Sequence, residues 1–154
     1  AVLVVLAFVV PAAAPEKPAA SGGLMPVAGG GAPSWQKFEA GVIGRELALG
    51  RVVFVDVTAD WCVTCKVNKA LVIDRGPVAQ RLSQAGMTAM RADWTRPDPR
   101  ISAFLQRFGR YGIPFNVVFG PAAPRGIVLP ELLTTDAVLA AVNAAGRDTR
   151  VTNR

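Results

Sequence analysis

The sequence contains two cysteines, and they stand three positions apart in Trp61-Cys62-Val63-Thr64-Cys65-Lys66. A C-x-x-C pair after a strand-like run and at the start of a helix-like one points to dithiol/disulfide exchange. A thiol at a helix N-terminus meets unpaired backbone N–H groups and the positive end of the helix dipole, which favours the thiolate. Cys62 is therefore the expected nucleophile. Cys65, one turn on, is the expected resolving thiol, able to close on Cys62 and release a mixed disulfide. Two competing uses of the pair are weaker. A structural zinc site normally takes four ligands, and this sequence offers two cysteines and no histidine, so no metal is expected. A purely structural disulfide across so short a loop gains little stability.

The elements that must position these thiols follow from the flanking pattern. Val52, Val53, Phe54, Val55 and Val57 form a β-branched apolar run, as expected for a strand buried on both faces of a sheet and covered by helices. Helices are predicted from Cys62 to Val72, from Pro77 to Gln84, from Pro99 to Phe108 with Asp98 as cap, and from Thr135 to Ala145. Strands are predicted at Met87 to Ala92, Phe115 to Phe119 and Gly126 to Leu129, the last two joined by a turn over Gly120 to Arg125. Upstream, WQKFEAGVIGRELALG has apolar residues near helical spacing, with Ser34 as N-cap and Gly50 as stop, and reads as a short helix that Gly41 and Gly44 weaken. Alternating helices and strands followed by two turn-linked strands predict an α/β domain with a central mixed β-sheet.

At this point a resemblance becomes specific. Val53 to Lys66, ending in A-D-W-C-V-T-C-K, resembles the active-site strand and helix of the thioredoxin superfamily. It is most similar to the C-terminal periplasmic domain of the transmembrane thiol:disulfide interchange proteins DsbD and ScsB. Further similarity lies in Arg91-Ala-Asp-Trp-Thr95, Phe108-Gly-Arg-Tyr-Gly-Ile-Pro114 and Leu129-Pro-Glu-Leu-Leu-Thr134, so it spans about residues 35 to 145. The resemblance implies a thioredoxin-like fold and a dithiol that needs no cofactor. It implies that Asp56 is the buried acid that exchanges a proton with the resolving thiol. It also implies that Pro114 is a cis-proline beside the cysteines, with the Ile113 backbone open to an extended substrate segment. A carboxyl buried beneath an apolar strand should have a raised pKa, which suits acid/base work near neutrality. Trp61 is expected either as a partly exposed aromatic beside the nucleophile or as a core residue. Asp60 and Lys66 either tune the local field or are solvated helix-end charges. Some DsbD members have an acidic residue shortly after the motif, where this chain has Asn68 and Lys69.

The resemblance also sets compartment and direction. Residues 1–10, AVLVVLAFVV, span about 15 Å as a helix, roughly half a hydrocarbon core. They read as the end of a transmembrane helix or as a signal or anchor segment. Residues 11–33, rich in Pro, Ala and Gly, read as a flexible linker, residues 34–147 as the thioredoxin-like domain, and residues 148–154 as a tail. Either reading of residues 1–10 delivers the domain to the periplasm, tethered to the inner membrane. The formal charge of +6 comes without interleaved aromatics or a recognisable binding module, so no nucleic-acid partner is expected. The expected partners are a membrane-embedded electron donor domain, in the same polypeptide by resemblance, and a periplasmic disulfide-containing protein. With Val63-Thr64 between the cysteines there is no histidine to stabilise the thiolate, which favours an electron donor, that is, a protein-disulfide reductase. Alternatives are a free-standing periplasmic oxidoreductase for cytochrome maturation or disulfide isomerisation, and a non-catalytic thioredoxin-fold binding module.

Overall fold

The computed structural model describes residues 32–146. The apolar segment 1–10, all but the end of the linker 11–33, and the tail lie outside the described residues. The strand that carries the chemistry toward the cysteines is β2, Val52–Thr58, and every one of its residues is buried. It can be buried throughout because helices cover both faces of the sheet, as the uninterrupted apolar run requires.

The remaining strands are β1 (Trp35–Lys37), β3 (Met87–Asp93), β4 (Phe115–Gly120) and β5 (Ala123–Val128). Their order across the sheet is β1-β3-β2-β4-β5. β3 lies parallel to both β1 and β2, whereas β4 runs antiparallel to β2 and to β5. This is the mixed sheet expected from the sequence, with β2 central.

One face of the sheet packs against α1 (Ala40–Ala48) and α4 (Pro99–Gln106). Val53, Val55 and Val57 meet Ile43, Ile101 and Leu105 there. Phe104 is the hub of this layer, with the rings of Phe38, Phe108, Phe115 and Phe119 at 4.7, 5.3, 6.1 and 6.3 Å. The other face is covered by α2 (Val63–Asn68) with the π-helical turn Lys69–Ile73 that continues it, by α3 (Gly76–Leu82) and by α5 (Thr135–Gly146). Val52, Phe54 and Val118 meet Ile73, Val78, Val138 and Val142 on that side. Because side chains alternate along a strand, Asp56 shares this second face with Phe54.

Two sequence expectations are corrected. Trp35–Lys37 is not the start of a helix but an edge strand in parallel register with Ala89–Arg91. Ser34 therefore caps nothing, and α1 begins at Ala40 after Glu39, whose side chain makes no cap hydrogen bond. Three residues are too few to show a period, and their extended form rests on pairing with β3, extended by the Phe38 N–H donating to the Arg91 carbonyl at 3.0 Å. The second correction concerns β5, which opens at Ala123 rather than Gly126. Most of the expected turn is strand, Leu129 lies beyond its end, and Gly126 takes φ +88°, a conformation that suits glycine on an irregular edge.

Candidate redox site

β2 ends at Thr58, and the chain turns through Ala59, Asp60 and Trp61 before α2 starts. Cys62 occupies the N-cap of α2 with extended backbone, and its Sγ accepts the Cys65 backbone N–H at 3.2 Å. A cap position gains from any acceptor that satisfies the free N–H groups of the first turn, and here the acceptor is sulfur. Cys62 and Cys65 are joined in a disulfide, with Cα atoms 5.3 Å apart. Cys62 is 6% exposed and Cys65 1%, so both are buried and Cys62 is the more exposed of the two. Ala59 and Ile113 pack against the pair.

Of the other residues singled out from the sequence, Ile113 packs against this spot and Trp61 immediately precedes it in the chain. The Ile113–Pro114 peptide bond is cis, and Ile113 belongs to the apolar cluster around the cysteines. Trp61 is 59% exposed, so of its two expected placements the surface one is observed. Its indole Nε1 donates to the Thr95 carbonyl at 3.3 Å, while the Asp60 N–H donates to Thr95 Oγ1 at 2.9 Å. Thr95 is itself held by Asp93, whose Oδ1 accepts both the Thr95 N–H and hydroxyl. Those bonds hold the Asp93 carboxyl below its ordinary value. The loop after β3 thus fastens the loop before α2. Between them lies an open groove of about 400 Å³, lined by Trp61, Trp94, Thr95, Pro97, Tyr111 and Ile113.

Asp56 is 2% exposed. Its Oδ1 accepts from Asn116 Nδ2 and its Oδ2 from Arg91 Nε, both at 3.0 Å. Burial is the largest influence on this carboxyl and pushes it up from the ordinary aspartate value. The Arg91 charge and the hydrogen bonds from Asn116 and Arg91 oppose that rise. The sequence reading placed Asp56 but missed these partners. Only strand register brings them together: Arg91 on β3 and Asn116 on β4 are the direct neighbours of Asp56 across the sheet.

Asn68 was likewise missed as a positioning group. It is buried, with Nδ2 donating to the Glu131 carbonyl at 2.7 Å and Oδ1 accepting the Leu133 N–H at 3.0 Å. It ties the end of α2 to the Leu129–Thr134 loop. Asp60 and Lys66 are exposed beside the cysteines. Among the described residues no three His, Cys, Asp or Glu side chains come together to hold a metal ion.

Residues 35–121, more than half of the chain, match the thioredoxin-like family. The chain belongs to that family. Its curated relatives include the thiol:disulfide interchange protein DsbD of Ralstonia nicotianae, 36% identical over 84 residues. That match covers 53% of this chain and 14% of the relative. DsbD 1 of Pseudomonas aeruginosa is 33% identical over 72 residues, covering 47% of this chain and 12% of the relative. The chain thus corresponds to a small part of those longer proteins. Among solved structures, the C-terminal domain of Neisseria meningitidis DsbD in its oxidised form superposes with a TM-score of 0.56 at 22% identity. It covers 68% of this chain and 90% of that one. The reduced form gives a TM-score of 0.53 at 21% identity, covering 71% and 99%. These likenesses establish the fold and agree with the DsbD resemblance of the active-site sequence. The thioredoxin-like domain described here has no helix, among its described residues, long and apolar enough to cross a membrane.

Proposed function

We propose that this domain is a thiol:disulfide oxidoreductase working as a protein-disulfide reductase. The observation that carries the reading is the Cys62–Cys65 disulfide at the start of α2, with Cys62 at the N-cap and the more exposed of the two residues. In the reduced protein, the Cys62 thiolate attacks one sulfur of a partner disulfide, and the other partner sulfur leaves as a thiolate and takes a proton. Cys65 then gives its proton to the Asp56 carboxylate and attacks Cys62 Sγ, which releases the second partner sulfur. One dithiol becomes a disulfide and one partner disulfide becomes two thiols, with no cofactor involved. Trp61 and Ile113 line the groove, and by the resemblance an extended partner segment would pair there with the Ile113 backbone beside Pro114.

Electron flow toward the partner is favoured by Val63-Thr64 between the cysteines, which offer no imidazole to stabilise the reduced form. The names of the DsbD relatives support interchange with other disulfide proteins. By the same resemblance, electrons would come from a membrane-embedded donor domain of the same polypeptide, and the domain would work in the periplasm, tethered to the inner membrane. Residues 1–10 would be the end of that tether. The full chain should reduce insulin with dithiothreitol as electron source, and Cys62→Ser should abolish that catalysis. Equal turbidity curves for the two proteins would end the reductase reading.

A further inference from the structure

We propose that Arg91 is the positioning residue that keeps Asp56 a working base, because its guanidinium is clamped between Asp56, Asp74 and the Trp35 ring beneath the active-site helix. This inference rests on the reductase reading above, in which Asp56 takes the proton of the resolving thiol.

The clamp is built by register. Lys37, Arg91, Asp56 and Asn116 are successive neighbours across β1, β3, β2 and β4, and neighbours in register project to the same face of a sheet. From that row, Arg91 Nε donates to Asp56 Oδ2 at 3.0 Å and its NH2 to Asp74 Oδ1 at 3.1 Å. The guanidinium carbon sits 3.8 Å from the centroid of the Trp35 ring. Three elements therefore hold one cation: β2 through Asp56, the end of the π-helical turn through Asp74, and the edge strand β1 through Trp35. A planar fork satisfied on two sides and stacked on a ring has one orientation, which a lysine ammonium cannot reproduce.

The buried carboxylate needs such a partner. Without a cation against it, burial would act unopposed by charge contact and push the Asp56 carboxyl further up, toward the protonated form that cannot take a proton. The charged groups that bear on it are Arg91 from β3 and, at longer range, Lys69 from the π-helical turn, with Asp74 behind Arg91. Asn116 from β4 is a neutral donor. The facing parts of α3 and α5 bring apolar side chains, Val78, Leu82, Val138 and Val142. Arg91 is thus the one cation in direct contact with the carboxylate among the described residues. It occupies a single acceptor position of Oδ2, and Asn116 a single position of Oδ1, so each oxygen keeps a lone pair for the incoming proton.

The step affected is ring closure. The Cys65 S–H proton passes to Asp56, the sulfur electron pair forms the Cys62–Cys65 bond, and the partner sulfur leaves with the electrons of the bond that breaks. Mixing the reduced full chain with 5,5′-dithiobis(2-nitrobenzoate) in a stopped-flow instrument separates this step. Attack by Cys62 releases a first thionitrobenzoate, and closure by Cys65 releases a second. In Arg91→Met, the ratio of second-phase to first-phase rate should fall about tenfold at pH 7, and the acid limb of the second phase should move up by about one pH unit. Arg91→Lys should lie between Arg91→Met and wild type, and Arg91→Met should add no further slowing in an Asp56→Asn background. A second phase in Arg91→Met with the wild-type pH profile overturns the role of Arg91. So does additive slowing in the double variant, with circular dichroism confirming the fold in each case. A wild-type protein that releases no rapid first equivalent would instead remove the reductase reading itself.

Discussion

At the scale of single residues, hydrogen bonds and burial set the charge state of Asp56 in the candidate site, and the same physics is visible away from it. Asp98 is the N-cap of α4, accepting the Arg100 backbone N–H at 2.8 Å and pairing with its guanidinium at 2.8 Å. These bonds hold its carboxyl down at about 2. A carboxylate whose folded pKa is depressed contributes stability above its unfolded value and loses it as pH falls through the folded one. Asp98→Ala should therefore lower the thermal midpoint at pH 7, and the difference from wild type should narrow as the pH approaches 2. A constant difference over that range would show that the cap acts through something other than its charge. Asp56 has the opposite sign, since burial raises its pKa. Below its folded pKa the buried carboxyl is neutral, so the fold loses some stability as that group ionises with rising pH.

At the scale of elements, the active-site helix is held at both ends. Its start is fixed by the Cys62 cap and by the Thr95 bonds to Asp60 and Trp61. Its end passes into a π-helical turn, closed by the Asp74 N–H donating to the Lys69 carbonyl at 2.9 Å. Such a turn shifts the side chains that follow it, and it is often found at functional sites. Asn68, just before the turn, uses both ends of its amide on the Leu129–Thr134 loop. Asn68→Ala would leave the Leu133 N–H and the Glu131 carbonyl without that partner. It should cost about 2 kcal/mol in urea unfolding, within the range for orphaned buried polar groups. A loss near zero would mean that water replaces the amide.

At the scale of the whole molecule, the two large core clusters form without the cysteines, which sit in a small cluster of their own. The two core layers, one around Phe104 and one around Phe54 and Val118, lie on opposite faces of the sheet. The disulfide closes a loop with a sequence separation of 3. Constraint of the unfolded chain by so short a loop is worth about 2 kcal/mol at most. Reduction with dithiothreitol should therefore lower unfolding free energy by no more than about that amount and leave the far-ultraviolet circular dichroism unchanged. Collapse of secondary structure on reduction would mean that the pair is a staple. A fold that survives reduction is what a redox carrier needs, since it must be folded in both states.

Much of this molecule was legible in the sequence because its signals are local. The buried run Val52–Val57, the Asp98-Pro99 helix start, the C-x-x-C pair after a strand and the motif ending in Ile113-Pro114 all show themselves within a few residues. The resemblance they support led to the fold and to the site. Tertiary structure decided what depends on pairing between distant segments. Trp35–Lys37 is a strand because β3 offers it a parallel edge, and no pattern within three residues could have announced that. Arg91 and Asn116 meet Asp56 through register, and one step of slip would turn either side chain to the opposite face. The sequence specified an acid and two thiols. Only the folded sheet determined which cation sits against that acid, because a charge buried in an apolar layer is governed by neighbours the chain brings from far away.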